Sequence, residues 1–285
     1  VGSSSERRQM EKMRRVIIFR VAVASVLLAN CLAFSAPQPP SHPVVLLDAW
    51  FNSQTHTDAT GKRVYFHYKW DDEADSGYSV LGKIFRDLGA ETGTLYTGPT
   101  AAQLNKAQVY ILVSPDIPVK NPSPHYMNAE DATQIAAWVH RGGVLMIMEN
   151  DPANADIDHT NLLAEKFGIH YNKVLRNQVV DDKFEMGKVM IPGDGPIFHH
   201  PHTAYMKEIC TITVQNPAVA QLRDHGDVLM ATAKYGAGTV YATVDPWLYN
   251  EYTNGHRLTP EYDNLAAGQE LADWILKQVP RRKRR

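Results

Sequence analysis

Cysteine is almost missing from this chain: there are two in 285 residues, Cys31 and Cys210. If the first departs with a leader segment, no intrachain disulfide can form. The fold must then stand on its core, and a body of about 245 residues can bury a large one. Long apolar runs are scarce as well. Val21 to Phe34 is uncharged for 14 residues, against the roughly 20 that a bilayer span needs. There is no internal repeat and no nucleotide loop. Gly236 and Gly238 precede a strand-like segment with no third glycine, which is the pattern of a hairpin turn. At 44% hydrophobic and 21% charged residues, the composition excludes a disordered, collagen-like or multi-span membrane protein.

Neither sign of charge dominates the total of −2, but the ends hide an acidic body. Residues 1–35 carry Arg7, Arg8, Lys12, Arg14, Arg15 and Arg20 against Glu6 and Glu11, and 281–285 are all basic. Without these eleven basic and two acidic residues, 36–280 holds 18 basic against 29 acidic, a net −11. Such a body repels polyphosphate, so no nucleic-acid partner is expected. Arg14-Arg15, the apolar run, and Ala33-Phe34-Ser35 with small residues at −3 and −1 read as a secretory signal peptide, with translation starting at Met10 or Met13. Met13 replaces the polar residue that twin-arginine export prefers, and Asn30 before Cys31 argues against a lipoprotein. The expected destination is periplasmic or secreted, with no membrane contact after cleavage. The expected divisions are 1–35 leader and upstream residues, 36–43 Pro-rich linker, 44–280 one domain, and 281–285 basic tail.

Within the body, short apolar runs alternate with amphipathic stretches. Val44 to Ala49, Thr92 to Tyr96, Gln108 to Val113 and Val144 to Met148 read as strands. Ser76 to Leu88, Asn128 to His140, and His159 to Phe167 read as helices, stopped by Gly89, Arg141-Gly142-Gly143 and Gly168. Later come strands at Tyr171 to Val180 and Ile209 to Val214, a hairpin of Val228 to Ala233 with Thr239 to Val244, and a helix over Pro260 to Gln278. The fold class expected is α/β: a flavodoxin-like, mostly parallel sheet with helices on both faces and a C-terminal β-hairpin.

Ligands of open α/β sheets bind beyond the carboxyl ends of the strands. The predicted exits are Trp50-Phe51-Asn52, Ser114-Pro115-Asp116, Glu149-Asn150-Asp151, and Asp245-Pro246-Trp247-Leu248-Tyr249-Asn250-Glu251-Tyr252. Rings beside carboxylates and amides are the composition of a carbohydrate cleft, and equally of aromatics packed at the mouth of a domain or against a partner. Trp50, Asn52, Asp116, Glu149, Asn150, Asp245, Trp247, Tyr249 and Asn250 are the candidate binding residues. Lys69, Lys183, Lys234 and Arg257 are the candidate cations for an acidic sugar; a neutral sugar is favoured if none of them reaches the exits. Glu149 and Asp245, with His67, are the candidate catalytic groups. The long connection through Phe66 to Asp72 reads as a lid, with an extra edge strand over Lys62 to Tyr68 as the alternative. His199-His200-Pro201-His202 reads as a loop, so no metal is expected, and no cofactor either. No serine or cysteine occupies the fourth strand's exit, and Cys210 falls in a strand with no histidine beside it, which argues against acyl transfer.

Trp50-Phe51-Asn52, His67-Tyr68-Lys69-Trp70-Asp71-Asp72 through Ser76-Gly77, Ala164 to His170, and Ala233-Lys234-Tyr235-Gly236 through Asp245 to Tyr252 resemble the domain that accompanies bacterial unsaturated rhamnogalacturonyl hydrolases. That domain is similar to the class I glutamine amidotransferase-like fold. The resemblance implies a setting of pectin breakdown, an oligosaccharide ligand that is acidic or contains rhamnose, and a separate glycoside hydrolase chain as a possible partner. It implies no glutaminase, since the nucleophile is replaced at Glu149-Asn150. The helical barrel that carries hydrolysis in those proteins has no counterpart here. A carboxylate-dependent hydrolase or lyase acting on unsaturated uronyl oligosaccharides, and a protein-interaction module, stand as the alternatives.

Overall fold

The computed structural model describes residues 42–280, together with Arg8 and Gln9. The expected leader, most of the linker and the basic tail lie outside the described residues. The chain divides into two units, 1–41 and 42–285, and the sheet and the helices that cover it belong to the second.

In chain order the elements are β1 (Val44–Asp48), β2 (Thr55–Thr57), β3 (Arg63–Tyr65), α1 (Ser79–Asp87), β4 (Glu91–Leu95), α2 (Ala101–Leu104), β5 (Val109–Val113) and α3 (Ala129–His140). After these come β6 (Val144–Met148), α4 (Ile157–Ala164), β7 (Ile169–Arg176), β8 (Lys188–Ile191), β9 (His202–Tyr205), β10 (Ile209–Val214), β11 (Ala218–Asp224), β12 (Asp227–Tyr235), β13 (Gly238–Thr243), α5 (Asn250–Thr253) and α6 (Asn264–Gln278). Nine strands form one sheet in the order β4-β1-β5-β6-β13-β12-β10-β7, with β11 paired to β12. The pairings from β4 to β13 are parallel, and those from β13 to β7 antiparallel. This is an α/β fold with a mostly parallel central sheet. β2 with β3, and β8 with β9, form two small separate hairpins.

Every residue of β5, β6 and β13 is buried, and the unbroken apolar runs of β5 and β6 are those of strands covered on both faces. Helix α3 shows why the covering helices form where they do. The Asn128 side chain accepts from the Glu130 and Asp131 amides while Asp131 accepts in return from the Asn128 amide, a capping box. Ile135, Trp138 and Val139 then face the core at helical spacing, each burial worth about 1.5–3 kcal/mol. Gly143 lies against the Trp138 ring so closely that a Cβ there would stand 2.4 Å from it. Gly168, at φ +77°, ends the turn after α4, and a Cβ there would meet the Gln215 carbonyl at 2.2 Å.

Several expected boundaries are corrected. The first helix begins at Ser79, because Ser76 to Tyr78 are held in a turn by main-chain bonds to Tyr68 and Lys69. The Tyr171 to Val180 strand runs instead from Ile169 to Arg176, since Asn177 turns left-handed at φ 52°. The third helix starts earlier, at Ile157, because Asp156 caps it through the His159 amide. The last helix starts later, at Asn264. The Lys62 to Tyr68 segment is no edge of the main sheet: Arg63 to Tyr65 pairs with Thr55 to Thr57 alone. No described helix is long and apolar enough to cross a membrane.

Candidate functional site

At the carboxyl edge, the β1 and β5 exits are knitted into each other. The buried Asp48 carboxylate accepts from the Phe51 amide at 2.7 Å and the Tyr110 hydroxyl at 2.7 Å, which folds Trp50 to Asn52 back over the sheet. Burial raises Asp48 to about 6, and the Tyr110 and main-chain bonds oppose that rise. Asn52 donates to the Ser114 carbonyl at 2.8 Å, tying the two exits together. Asp116 is spent on the Ser53 amide and the Gln54 and Asn121 side chains, at 2.7–2.8 Å. Asn52 and Asp116, expected to touch ligand, are therefore loop braces with 0% exposure.

Asn250 is likewise structural. Its side chain accepts from the Val80 amide and donates to the Asp72 and Ala74 carbonyls and the Ser79 hydroxyl, which fastens the start of α1. Trp247 is fully buried and belongs to the core, not to a surface that could receive a sugar. Trp50 is half-buried, its ring stacked at 3.4 Å on His125.

The exits of β6 and β13 do meet, in a cleft of about 210 Å³. One wall is His67, Tyr68 and Ser76; another is Tyr249, Glu251 and Tyr252; Asn150 and Asn154 follow β6, Lys120 follows β5, and Lys207 with Glu208 enter from between β9 and β10. The Tyr68 and Tyr249 hydroxyls are 3.2 Å apart and their rings stack at 5.2 Å. Three lining residues other than glycine have left-handed backbone, His67 at φ 57°, Tyr68 at 53° and Glu208 at 54°, and Ser114 beneath them is at 37°. Strain of this kind persists only where the surroundings enforce it, and it collects at functional sites. Ser114 is the serine at a strained strand end, but it is buried among Asn52, Tyr68 and Met148 with no histidine bonded to it.

His67 Nδ1 lies 2.9 Å from Gln54 Oε1. That oxygen only accepts, so Nδ1 holds the proton and Nε2 is left as an acceptor. Burial first, then Lys120 and Lys69, pull its pKa down to about 4, and the ring is neutral at pH 7. Two carboxyl groups stand behind the edge. Glu149 is 0% exposed and pushed up to about 8 by burial, with Thr160 and the Asn150 amide opposing. Asp245 is 1% exposed, neither oxygen has a hydrogen-bond partner among the described residues, and burial raises it well above the usual carboxylate range. No hydrogen bond joins the two among the described residues: Glu149 accepts from the Asn150 amide at 3.2 Å, and Asp245 precedes Pro246, whose carbonyl accepts from the Tyr78 hydroxyl at 2.9 Å.

The expected cations are elsewhere or engaged. Lys69 is buried beneath Asn52 and His67, Lys234 bonds Thr239 and Gln278, Lys183 is exposed ahead of β8, and Arg257 pairs with Asp182 and Glu251. The cleft's cations are Lys120 and Lys207, which form no ion pair among the described residues. Lys207 falls beside a strand, β9, too short and mixed to be read from sequence. Lys120 sits in the long β5 to α3 connection, where loop length was the available signal. Of the histidine loop, His202 is buried between Asp263 and Glu270, and His200 pairs with Glu270. Cys210 is buried and its thiol is pushed up by that burial.

The site thus defines an α/β protein with one strained, lysine-bearing cleft at the carboxyl edge of a mostly parallel sheet. Residues 71–257 match the family described as Domain of unknown function (DUF4350), and the chain belongs to that family. A search of curated proteins finds no match. Among solved structures, the mmIFT52 N-terminal domain is 14% identical, covering 83% of this chain and 96% of that one with a TM-score of 0.58. Cytoplasmic Protein STM3548 from Salmonella typhimurium is 14% identical over 84% of this chain and 100% of that one, TM-score 0.51. The exo-beta-1,4-mannosidase Op5Man5 from Opitutaceae bacterium strain TAV5 is 12% identical over 85% of this chain and 37% of that one, TM-score 0.49, a level that carries no argument. At these identities the likeness concerns fold alone.

Proposed function

We propose that this protein is an exported carbohydrate-associated domain whose cleft binds one acidic sugar unit of a plant-polysaccharide fragment. The observation that carries the reading is the meeting of Lys120 and Lys207 with the stacked Tyr68–Tyr249 pair in one cleft. Tyrosine faces suit the apolar side of a sugar ring, Asn150 and Asn154 suit its hydroxyls, and the ammonium groups suit a carboxylate. A volume of about 210 Å³ is below the roughly 300–1,000 Å³ of drug-sized sites, which favours a single residue at a chain end. The resemblance to the rhamnogalacturonyl hydrolase companion domain supports the same ligand class, and a separate hydrolase chain is the partner it favours. The order β4-β1-β5-β6, with the first strand between the second and third of the parallel set, supports a flavodoxin-like, amidotransferase-type sheet.

Calorimetric titration of the protein with rhamnogalacturonan fragments tests this. Binding that weakens at least tenfold in Lys207→Ala and Lys120→Ala is expected; no heat with any fragment overturns the reading. One observation favours a catalytic alternative, that two fully buried carboxyl groups, Glu149 and Asp245, stand at the exits of β6 and β13, where burial raises both above the usual carboxylate range. Turnover of an unsaturated uronyl disaccharide that vanishes in Glu149→Gln would establish it.

A further inference from the structure

The cleft holds more charge than its two lysines. Glu208 and Glu251 line it as well, so Lys120 and Lys207 meet an equal number of carboxylates and the lining alone offers an anion no surplus of positive charge. Residues 36–280 carry a net −11, a field that works against the approach of an anion. An acidic sugar therefore needs one of the two carboxylates to be offset from outside the lining. Glu208 forms no ion pair among the described residues, but Glu251 does. Glu251 lies in α5, and the chain turns left-handed soon after that helix, at Gly255 with φ +77°. Arg257 thereby returns to it, with Nε 3.3 Å from Glu251 Oε2. The same guanidinium is held by the β7 to β8 connection, where Asp181 and Asp182 are left-handed at φ 54° and 55° and Asp182 Oδ1 accepts from Nη2 at 2.6 Å. Asp182 is exposed and Glu251 largely buried, so water screens the first pairing more than the second.

Resting on the acidic-sugar reading, we propose that Arg257 sets the charge preference of the cleft through Glu251: its guanidinium offsets the carboxylate on that wall, so that the cleft selects an anionic sugar over a cationic one. Arg257 does not itself line the cleft and is a positioning residue, not a ligand contact. Arginine suits the task, because its charge is permanent and its planar fork reaches two carboxylates at once. Without the guanidinium, Glu251 faces the cleft as an unpaired carboxylate, which repels a sugar acid and attracts a sugar amine. That reversal of sign separates an electrostatic role from a merely structural one, since a distorted wall would weaken every sugar alike.

The test titrates the full chain with D-galacturonate, protonated D-galactosamine and uncharged D-galactose at pH 6.5, for wild type, Arg257→Gln, Arg257→Lys, Glu251→Gln and the double variant Arg257→Gln/Glu251→Gln. Lys173→Gln is the control: Lys173 pairs with Asp158 at 2.9 Å on exposed β7, so it removes the same charge outside the cleft. Arg257→Gln is expected to weaken galacturonate about three- to tenfold, to strengthen galactosamine and to leave galactose level, with a smaller effect at high salt. Arg257→Lys, Glu251→Gln, the double variant and Lys173→Gln are expected to bind galacturonate about as well as wild type or better. Exposed ion pairs add little to folding, and melting curves check that each variant is folded. The role of Arg257 is overturned if Arg257→Gln binds galacturonate as wild type does, if it weakens all three sugars alike, if the double variant stays as weak as the single one, or if Lys173→Gln is equally weak. Each of those outcomes leaves the acidic-sugar reading standing, whereas a wild-type protein that binds no galacturonate removes that reading and the role of Arg257 with it.

Discussion

The Lys69 ammonium ends 2.9 Å from both the main-chain and the side-chain oxygen of Asn52, and equally 2.9 Å from the His67 carbonyl. One buried cation thereby holds the β1 exit and the left-handed His67–Tyr68 turn in a single arrangement.

Replacing Lys69 with Met leaves those oxygens buried and unpaired, and should cost about 3–5 kcal/mol in chemical denaturation. The pH dependence has a definite sign. Burial lowers Lys69 to about 8, with Asp48 the first of the carboxylates that oppose it. Between about 8 and 10.5 the unfolded chain holds the proton that the folded chain releases, so this group adds stability as pH rises through that window. The stability difference between wild type and Lys69→Met should therefore grow as pH rises through that window, while Cys210 and the buried tyrosines, raised by burial and acting the opposite way, contribute alike to both proteins.

Glu149 predicts the opposite trend at lower pH. Its folded pKa is raised from 4.5 to about 8, so the folded chain keeps a proton that the unfolded chain loses. Its contribution is complete below 4.5 and declines as pH climbs to about 8. Glu149→Gln, unable to ionise, should show a shallower decline in melting temperature from about pH 5 to 8. Asp48 and Asp245 are shifted the same way, so the slope is reduced and not abolished. An unchanged slope contradicts the assignment.

Trp247 and Lys207 separate core from cleft. Trp247→Ala empties a fully buried site and should cost about 3–5 kcal/mol. Lys207→Ala should change stability by about 0.5 kcal/mol or less while weakening galacturonate. A Trp247→Ala protein as stable as wild type would show that the side chain is not packed as described.

Asn250→Ala removes the four bonds that fasten the start of α1 and should cost about 2–4 kcal/mol. Loss of binding with unaltered stability would instead make Asn250 a ligand contact.

The alternation of apolar strands and helices was legible because β5 and β6 are buried on both sides and so are apolar throughout, because Val44 to Leu47 of β1 form an apolar run, and because Asn128 and Gly168 mark their helix ends by chemistry that any sequence displays. β8 and β9, at four residues each, and β11, whose apolar residues are broken by Gln221 and Arg223, were not legible, since none carries a continuous apolar signal. The exits were located correctly as positions, but the residue types misled. Amides and carboxylates at strand ends serve equally to brace loops, as Asn52, Asp116 and Asn250 do, and only the partners of each side chain separate the two uses. Trp247 misled for a related reason: an aromatic just past a strand can turn inward beneath the next helix as readily as outward.

β13 is the last strand among the described residues and yet lies in the middle of the sheet, with Thr239 opposite Val144 of β6 on one side and Lys234 of β12 on the other. Synthesis from the amino terminus therefore cannot complete the sheet in the order in which the strands emerge. The parallel half and the antiparallel half must each wait for a strand made after both, and such distant pairings close slowly. Tyr249, Glu251 and Tyr252 reach the cleft only once that strand has docked. A nascent or truncated product ending before β13 therefore keeps Lys120 and Lys207 but lacks Tyr249 and with it half of the stacked tyrosine pair.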